Sequence, residues 1–322
     1  MSYIGWFGEL STEGNLTLIA GGKGASLCKM FQAGMPVPDG FNCCAEMFDA
    51  FMEANGLWDT VYELTDNVIW DEGAEQTRTL SAAGAKLREM VAAAPMPADM
   101  EQMLVDNYLK LGDNVPVAVR SSGTAEDLED ASFAGQQETF LYVIGKEEVV
   151  KFVKECWASL YNDNAIYYRH KNNFAERDIS IAVVVMKMVN SEKSGVMFSV
   201  NPINKAADEV LMEAAWGLGE AVVQGIVNPD NYVVNKNDYS FKMKYVASKD
   251  IMVIRASERG GSKEVPVPEN IKNDPVLTDD EVRQLVDLAI KAEQYYGKPQ
   301  DLEWAFEDGR MYLLQSRPIT TL

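Results

Sequence analysis

The chain has 322 residues, of which 47% are hydrophobic and 24% charged, and its formal net charge is −20 at pH 7. This length predicts two domains or two large lobes, with enough apolar surface for a sizeable core. The strong negative charge argues against nucleic acids and anionic membrane surfaces as partners, because both repel an acidic protein.

Cysteine and histidine usage excludes several kinds of site. The four cysteines show no CxxC spacing, so we expect neither a disulfide framework nor a zinc site, and we expect a reduced cytoplasm as the location. The single histidine, His170, argues against a Ser-His-Asp triad and a multi-histidine metal site. His170 lies at the C-terminal end of a predicted helix, where cations are favoured, so we interpret it as a helix cap.

The beginning of the chain lacks the basic and long apolar segments of a signal peptide. The most apolar run, residues 179–189, contains Lys187 and is too short to cross a bilayer. We interpret this run as a buried strand.

Hydrophobic periodicity predicts mainly helices in the first part of the chain and mainly strands in the second. The predicted helices are 24–34, 45–55, 72–93, 98–111, 146–173 and, after a capping signature at 278–281, 279–296. The predicted strands are 115–119, 138–143, 179–188, 195–200, 210–215, 232–234 and 241–245, whereas 256–275 is predicted to be loop. This order indicates an α+β or mixed α/β protein with two lobes, 1–190 and 191–322.

A glycine-rich segment, Gly21-Gly22-Lys23-Gly24, opens the first predicted helix. It fails the Walker pattern, because Thr17 stands where the first glycine is required and Gly24 where Ser or Thr should follow the lysine. A lysine among bare backbone amides at a helix start still favours an anion. A simple turn before a helix is the alternative.

A second candidate anion site follows the predicted strand at 115–119. Arg120 ends this strand and is followed by the hydroxyls of Ser121 and Ser122. A guanidinium group fits phosphate oxygens in a bidentate geometry. The alternative, which we weigh equally, is that Arg120 pairs with one of the acids that follow it, which are Glu126, Asp127, Glu129 and Asp130.

The last thirty residues predict a β-hairpin that carries metal- and phosphate-binding chemistry. Strand alternation places Asp301 and Glu303 on one face of the first strand, and Gln315 and Arg317 on one face of the second. Carboxylate and amide oxygens suit Mg²⁺, and a guanidinium suits phosphate. The hairpin therefore predicts a nucleoside-triphosphate site, with an ordinary solvated hairpin as the alternative.

The turn of this hairpin decides whether the two pairs share a face. A two-residue Asp308-Gly309 turn would place them on opposite faces. A three-residue loop, 307–309, with a left-handed Gly309 in a G1 bulge would unite them and set Asp301 opposite Gln315. We therefore predict the three-residue loop and a positive φ at Gly309.

Several short motifs follow one another along the chain. They are Gly21-Gly22-Lys23-Gly24-Ala25-Ser26-Leu27, Gly34-Met35-Pro36-Val37-Pro38-Asp39-Gly40-Phe41, Val119-Arg120-Ser121-Ser122, the segment 131–139, the segment 194–199, the segment 213–220, Asn228-Pro229-Asp230 and Leu314-Gln315-Ser316-Arg317-Pro318. In this order they resemble the ATP-binding domain of the phosphoenolpyruvate synthase and pyruvate phosphate dikinase family. The resemblance covers essentially the whole chain.

The resemblance implies an ATP-grasp-like fold that holds ATP and Mg²⁺ between two lobes. By motif match, Lys23 and Arg120 would contact phosphates, while Gly135 and Thr139 would line the triphosphate. The strand 183–189, with Met186 and Met188, would supply a main-chain edge for adenine. Relatives often carry glutamine where Met186 stands, and methionine cannot make the hydrogen bonds of that amide.

The same resemblance assigns roles to the closing hairpin. Glu303 and Gln315 would hold Mg²⁺, and Arg317 would clamp the terminal phosphates with Asp301 beside them. The implied catalytic residues are Arg120, Arg317 and Asp301.

The family passes phosphate through a histidine on a swivelling domain to an acceptor on a third domain. His170 is not in that histidine motif, so we expect either a fragment or a subunit that works with a histidine-bearing partner and an acceptor-binding subunit. The start at Met1 and the end at Leu322 favour a subunit similar to the small subunit of phenylphosphate synthase, which would phosphorylate phenol or a similar acceptor. The alternatives are the first domain of a phosphoenolpyruvate synthase, an antibiotic phosphotransferase and a module that senses ATP without turnover.

Overall fold

The computed structural model describes residues 3–125, 127–128, 131–132, 138–257 and 260–320. The helices are α1 (Leu16–Gln32), α2 (Ala45–Ala54), α3 (Trp58–Asp66), α4 (Ala74–Ala93), α5 (Ala98–Leu111), α6 (Lys146–Ala158), α7 (Asp163–Lys171), α8 (Glu220–Val223) and α9 (Asp279–Tyr296), with a 3-10 turn at Ser159–Tyr161. The strands are β1 (Ile4–Trp6), β2 (Gly40–Cys43), β3 (Val117–Gly123), β4 (Asp127–Leu128), β5 (Ala131–Ser132), β6 (Thr139–Val143), β7 (Ile181–Lys187), β8 (Lys193–Phe198), β9 (Glu209–Trp216), β10 (Asp230–Asn235), β11 (Phe241–Tyr245), β12 (Ile251–Ser257), β13 (Gly260–Pro266), β14 (Gln300–Glu307) and β15 (Arg310–Pro318).

The chain divides into two compact units. The first comprises Met1–Cys28 and Asp39–Met188, and the second comprises Lys29–Pro38 and Val189–Leu322. The short segment Lys29–Pro38 therefore packs with the later part of the chain. That these units act as the lobes 1–190 and 191–322 stays a prediction.

In the first unit, the described strands form an antiparallel sheet in the order β1-β2-β7-β3-β6. Alternate residues such as Phe41, Val119 and Val185 point into an apolar core. The residues between them, which include Asn42, Arg120 and Ser122, occupy the opposite face. Polar candidates and core residues therefore lie on different faces of one sheet.

In the second unit, six antiparallel strands of the described chain follow the order β11-β10-β9-β8-β14-β15. Leu302, Trp304 and Phe306 of β14 are buried, and α9 packs against this strand through an apolar side. Thr278 starts α9 with the predicted capping box, because its hydroxyl accepts from the Glu281 amide. The capping box fixes where α9 begins, and the apolar stripe along the helix is the side that packs against the sheet.

The predicted mixed α/β class is confirmed by these helices and sheets. Helices α5 and α9 have the predicted bounds, and α2 agrees with prediction within one residue. No helix in the described part of the chain is both long and apolar enough to cross a bilayer.

Three predicted elements differ from the structure. The helix predicted at 24–34 forms the later part of α1, which begins at Leu16 and is broken at Gly21. The helix predicted over 146–173 is interrupted, because Asn162 takes an extended conformation after the 3-10 turn. The predicted loop 256–275 instead supplies part of β12 and all of β13, which pair with each other, and cross-strand hydrogen bonding there outweighs the local preference of glycine and proline for turns.

Candidate functional site

The closing hairpin turns through two residues. Glu307 pairs with Arg310, and the intervening Asp308 and Gly309 have φ values of 50° and 71°. Two positive φ values are typical of a type I′ turn, whose twist matches the flanking strands. The predicted three-residue loop is wrong, whereas the predicted positive φ at Gly309 is confirmed.

A bulge restores the shared face that the turn alone would have destroyed. Glu303 pairs with Gln315, but the next residue, Trp304, pairs with Leu313, so that Leu314 is the extra residue of β15. One extra residue moves all later side chains of that strand to the other face.

The resulting register differs from the predicted one. Asp301 lies opposite Arg317 and not opposite Gln315, which lies opposite Glu303. Directly opposite residues of an antiparallel pair share a face. The two carboxylates, the amide and the guanidinium therefore share one face of the second unit, as predicted, although the reason is a bulge within the strand and not a bulge at the loop.

These side chains interact on that face. Gln315 Nε2 donates to Glu303 Oε1 at 2.9 Å, which directs the amide oxygen of Gln315 elsewhere. Burial is the main cause that raises the pKa of Asp301 to about 6, the negative charge of Glu303 raises it further, and Arg317 opposes both effects. No described residue donates a hydrogen bond to the buried Oδ1 of Asp301. A buried carboxylate oxygen in this state favours a proton or a cation.

This set of oxygens fits Mg²⁺ bound together with a phosphate ligand. In the described residues there is no group of three or more His, Cys, Asp and Glu side chains that could hold a metal ion. Mg²⁺ does not require such a group, because it commonly takes one or two carboxylates and completes its shell with substrate phosphates and water. Glu303 and Gln315 are the side chains on this hairpin that would hold it.

In the first unit, the glycine-rich segment forms a break inside α1. Gly21 has φ 68° and ψ 176°, and a Cβ atom there would overlap the carbonyl and hydroxyl oxygens of Ser122. Lys23 is buried after the break, and its ammonium donates to the carbonyl of Ser121 at 3.2 Å. The glycine-rich segment and the end of β3 are therefore in direct contact.

Arg120 lies on β3 between two paired strands. It is opposite Thr139 of β6 on one side and opposite Val184 of β7 on the other, so Arg120 and Thr139 share a face. Lys23, Arg120 and Thr139 thus belong to neighbouring elements of one unit. The predicted site residue Gly135 lies outside the described residues, and the alternative acid partners of Arg120 have no described side chains.

The expected adenine edge on strand 183–189 needs correction. β7 is an interior strand that pairs with β3 over Ile181–Lys187 and with β2 over Val183–Met186, so residues 183–186 have no free edge. Beyond it, the amide of Met188 donates to the carbonyl of Pro116 at 2.9 Å. The side chain of Met186 is buried, and the roles of Met186 and Met188 in binding stay predictions.

His170 lies in the last turn of α7, the helix end at which the sequence places it. Its ring stacks on Trp70 with centroids 3.5 Å apart and planes 2° apart.

The motif Asn228-Pro229-Asp230 has a structural role, because Asp230 is fully buried beside Lys249.

One residue that the sequence reasoning did not assign stands out in the first unit. The hydroxyl of Ser122 accepts from the Gly24 amide at 3.1 Å and donates to the Ala20 carbonyl at 2.9 Å. The sequence signal was the second hydroxyl after Arg120, although only the fold shows which helix it contacts.

Fold and site together define a mixed α/β protein with the buried cations Lys23 and Arg120 in one unit and a hairpin face of two carboxylates, an amide and a guanidinium in the other. The chain belongs to the family described as pyruvate phosphate dikinase, AMP/ATP-binding domain, whose model matches residues 17–322. This membership confirms the resemblance found in the sequence and establishes an ATP-binding domain of the dikinase type.

Long relatives match the whole or nearly the whole chain. A probable phosphoenolpyruvate synthase of Methanocaldococcus jannaschii is 46% identical over 100% of this chain and 27% of its own length. Another from Methanothermobacter thermautotrophicus is 44% identical over 100% of this chain and 46% of its own length. A rifampicin phosphotransferase of Bacillus cereus is 37% identical over 94% of this chain and 34% of its own length. The chain thus spans less than half the length of these curated relatives.

Similarity to solved structures is weak. D-alanine–D-alanine ligase from Bacillus anthracis aligns over 74% of this chain and 65% of its own, with 8% identity and a TM-score of 0.26. Phosphoribosylglycinamide synthetase from Anaerococcus prevotii aligns over 68% and 36%, with 12% identity and a TM-score of 0.24. Scores this low support no argument about this chain.

Proposed function

We propose that this chain binds Mg-ATP and transfers the β-phosphoryl group to a histidine on a partner, with release of AMP. The observation that carries this proposal is the shared face of Asp301, Glu303, Gln315 and Arg317 on the closing hairpin. Membership of the dikinase family supports the use of ATP.

On the hairpin, Glu303 and Gln315 would hold Mg²⁺ and Arg317 would bind the terminal phosphates. When bound, Mg²⁺ supplies charge neutralisation on the phosphate oxygens during transfer. Asp301, whose Oδ1 is buried and accepts no hydrogen bond from a described residue, would face the same ligands. The bond between Glu303 and Gln315 holds both side chains in one arrangement.

In the first unit, Lys23 and Arg120 would contact phosphate oxygens, and Thr139, opposite Arg120, would line the triphosphate with Gly135. Phosphoryl transfer depends mainly on positioning and on compensation of negative charge. Cations on adjoining rigid elements meet that requirement better than cations on separate loops. Adenine contacts by Met186 and Met188 belong to the same proposal.

The transfer step requires an acceptor from outside this chain. A bond forms between an imidazole nitrogen and the β-phosphorus, while the bond to the oxygen shared with the α-phosphate breaks and AMP leaves with that oxygen. Water then converts the γ-phosphoryl group to inorganic phosphate. His170 is a poor acceptor because its ring is stacked on Trp70 at the end of α7. The greater length of the relatives supports a separate histidine-bearing domain or subunit.

For the final acceptor, we propose phenol or a similar compound, by likeness to phenylphosphate synthase. The second candidate is an acceptor of the kind used by phosphoenolpyruvate synthases or antibiotic phosphotransferases, and the names of the relatives favour it. The alternative function is an ATP-sensing module that binds ATP without turnover. We propose the cytoplasm as the location.

The test combines nucleotide binding with AMP formation. Calorimetry with ATP in the presence and absence of Mg²⁺ should show magnesium-dependent affinity. Mixing the chain with a separately produced histidine-bearing swivelling domain of this family and Mg-ATP should produce AMP. Magnesium-dependent binding without AMP would favour the sensor, and absence of binding would refute the proposal.

Two arginine variants of β15, Arg317→Ala and its control Arg310→Ala, test whether the hairpin takes part in phosphoryl transfer. We expect Arg317→Ala to lower phosphorylation of the partner by about 10²-fold or more, as for other groups that stabilise a transferring phosphate. Arg120→Ala should have an effect of the same order. Arg310→Ala is the control, because Arg310 lies at the turn end of the same strand, where it stacks on Tyr312. Unchanged AMP formation by Arg317→Ala would contradict the role.

A further inference from the structure

The break in α1 is built around a hydroxyl group that comes from another element. In an uninterrupted helix, the amide of Gly24 would donate to the carbonyl of Ala20, four residues earlier. Here the hydroxyl of Ser122 stands between them, accepting from Gly24 at 3.1 Å and donating to Ala20 at 2.9 Å. Insertion of a side chain into the helical ladder is a recognised cause of a sharp kink.

Glycine at position 21 makes this insertion feasible. Its φ of 68° is a conformation that other residues adopt at a cost, and a Cβ atom there would overlap the oxygens of Ser122. Ser122 is itself fully buried, so its hydroxyl requires the two partners that it has. The break and the hydroxyl therefore depend on each other.

The break sets the position of Lys23 relative to Arg120. Lys23 lies between Gly21 and Gly24, and its ammonium donates to the carbonyl of Ser121. Arg120 and Ser122 are two residues apart on β3, so their side chains share a face of the sheet. One strand thus carries both the guanidinium and the hydroxyl that holds the lysine segment.

We infer that Ser122 is a positioning residue for the phosphate-binding cations: its hydroxyl fixes the break in α1 and so holds Lys23 in register with Arg120. This inference rests on the proposed function of Lys23 and Arg120 as phosphate ligands. Ser122 does not contact the phosphates in this role. Its removal would leave the cations present but displaced, and small displacements of binding groups reduce phosphoryl transfer strongly.

The test compares Ser122→Ala with Thr124→Val. The hydroxyl of Thr124, on the same segment of chain, also makes two bonds, donating to the carbonyl of Ser180 at 2.9 Å and accepting from its amide at 3.0 Å. Both substitutions remove one hydroxyl with one donor and one acceptor bond, so both should lower the melting temperature. Of these two hydroxyls, only that of Ser122 makes its hydrogen bonds to α1.

We expect Ser122→Ala to raise the dissociation constant for Mg-ATP about tenfold or more, measured by calorimetry well below the melting temperature. Thr124→Val should change it less than about threefold, the range of ordinary mutational scatter. Ser122→Cys, which keeps a weak donor and acceptor, should recover part of the affinity, and it replaces the alanine variant if that variant does not fold.

The failures of the two proposals are distinguishable. If the wild-type chain does not bind Mg-ATP, the proposed function fails, and this inference fails with it. If the wild-type chain binds and Ser122→Ala binds as tightly as Thr124→Val, the positioning role alone is overturned.

Discussion

At the scale of single residues, Asp230 shows how a buried charge is retained. Its Oδ1 accepts from Lys249 Nζ at 2.5 Å and from the Ala247 amide at 2.9 Å. Its Oδ2 accepts from the Tyr232 hydroxyl at 3.0 Å and from the Val276 amide at 2.8 Å. The carboxylate therefore fastens two other segments, at residues 247–249 and at Val276, to β10. It also raises the pKa of Tyr232, second to the effect of burial.

We expect Asp230→Ala to lower the free energy of unfolding by about 3–5 kcal/mol, because it leaves the charge of Lys249 buried without compensation. Urea unfolding followed by circular dichroism measures this change.

Asp250→Ala is the control for the buried pair. Lys272 and Asp250 are also 2.5 Å apart, but their side chains are 24% and 75% exposed. An exposed ion pair contributes little to stability, because water and salt screen it. If both variants lost the same free energy of unfolding, burial would not be the reason that the Asp230–Lys249 pair stabilises the fold.

Asp49 gives a prediction about pH. Burial raises its pKa above 3.8, partly opposed by the hydrogen bond from Ser180 and the charge of Arg177. The folded chain therefore holds this proton more tightly than the unfolded chain, so the contribution of Asp49 to stability falls as pH rises through the raised pKa. Asparagine does not titrate. We expect the stability of Asp49→Asn relative to wild type to increase from about pH 4 towards neutrality, measured by urea unfolding at several pH values. A difference that is constant with pH would contradict the raised pKa.

At the scale of elements, the closing hairpin shows that two changes in strand register can cancel, so that the same four side chains still lie on one face. The two-residue turn reverses the relative faces of the strands compared with a three-residue loop, and the extra Leu314 reverses them again. The chemical content of the hairpin follows from alternation alone. The position of the bulge does not, because Leu314 looks like any other strand residue.

The turn itself provides a test. We expect Gly309→Ala to destabilise the chain by about 1 kcal/mol, because alanine is disfavoured at positive φ. A Cβ atom at Gly309 meets no other atom within 4 Å, so backbone conformation and not crowding would be the cause. Thermal unfolding measures the effect.

Gly123→Ala is the matched substitution. This glycine at the end of β3 has equally open surroundings but is not among the glycines with positive φ. Alanine there should be neutral or stabilise by about 0.4–1 kcal/mol, since it restricts the unfolded chain. The conformational explanation fails if both variants behave alike.

At the scale of the whole molecule, the net charge of −20 is the dominant feature. Excess charge of one sign destabilises a compact state through self-repulsion. Cations such as Lys23 and Arg120 are buried, where they are screened less by salt than exposed groups are. A generally acidic chain can in this way keep locally positive binding groups.

We expect the melting temperature to rise when NaCl increases from about 10 to 200 mM, because the Debye length falls from roughly 30 to below 10 Å. A variant with Glu63, Asp66 and Glu89, three exposed acids, changed to amides should show a smaller rise. A melting temperature independent of salt would mean that repulsion between surface charges is unimportant here.

The sequence by itself determined the mixed α/β class, several helices and the residues of both candidate sites. Amphipathic periodicity between Pro97 and Gly112 fixes α5, and strand alternation fixes which residues of β14 and β15 can share a face. These are local properties that the order of side chains encodes directly.

Only the tertiary structure decided the rest. The interior position of β7, the pairing of β12 with β13, the bulge at Leu314 and the contact of Ser122 with α1 all depend on strands or segments distant in sequence. Hydrogen bonds and burial between such segments exceed the roughly 1 kcal/mol range of local preferences. For this reason the sequence indicates which side chains are candidates for binding, whereas it does not indicate the strand register that aligns them.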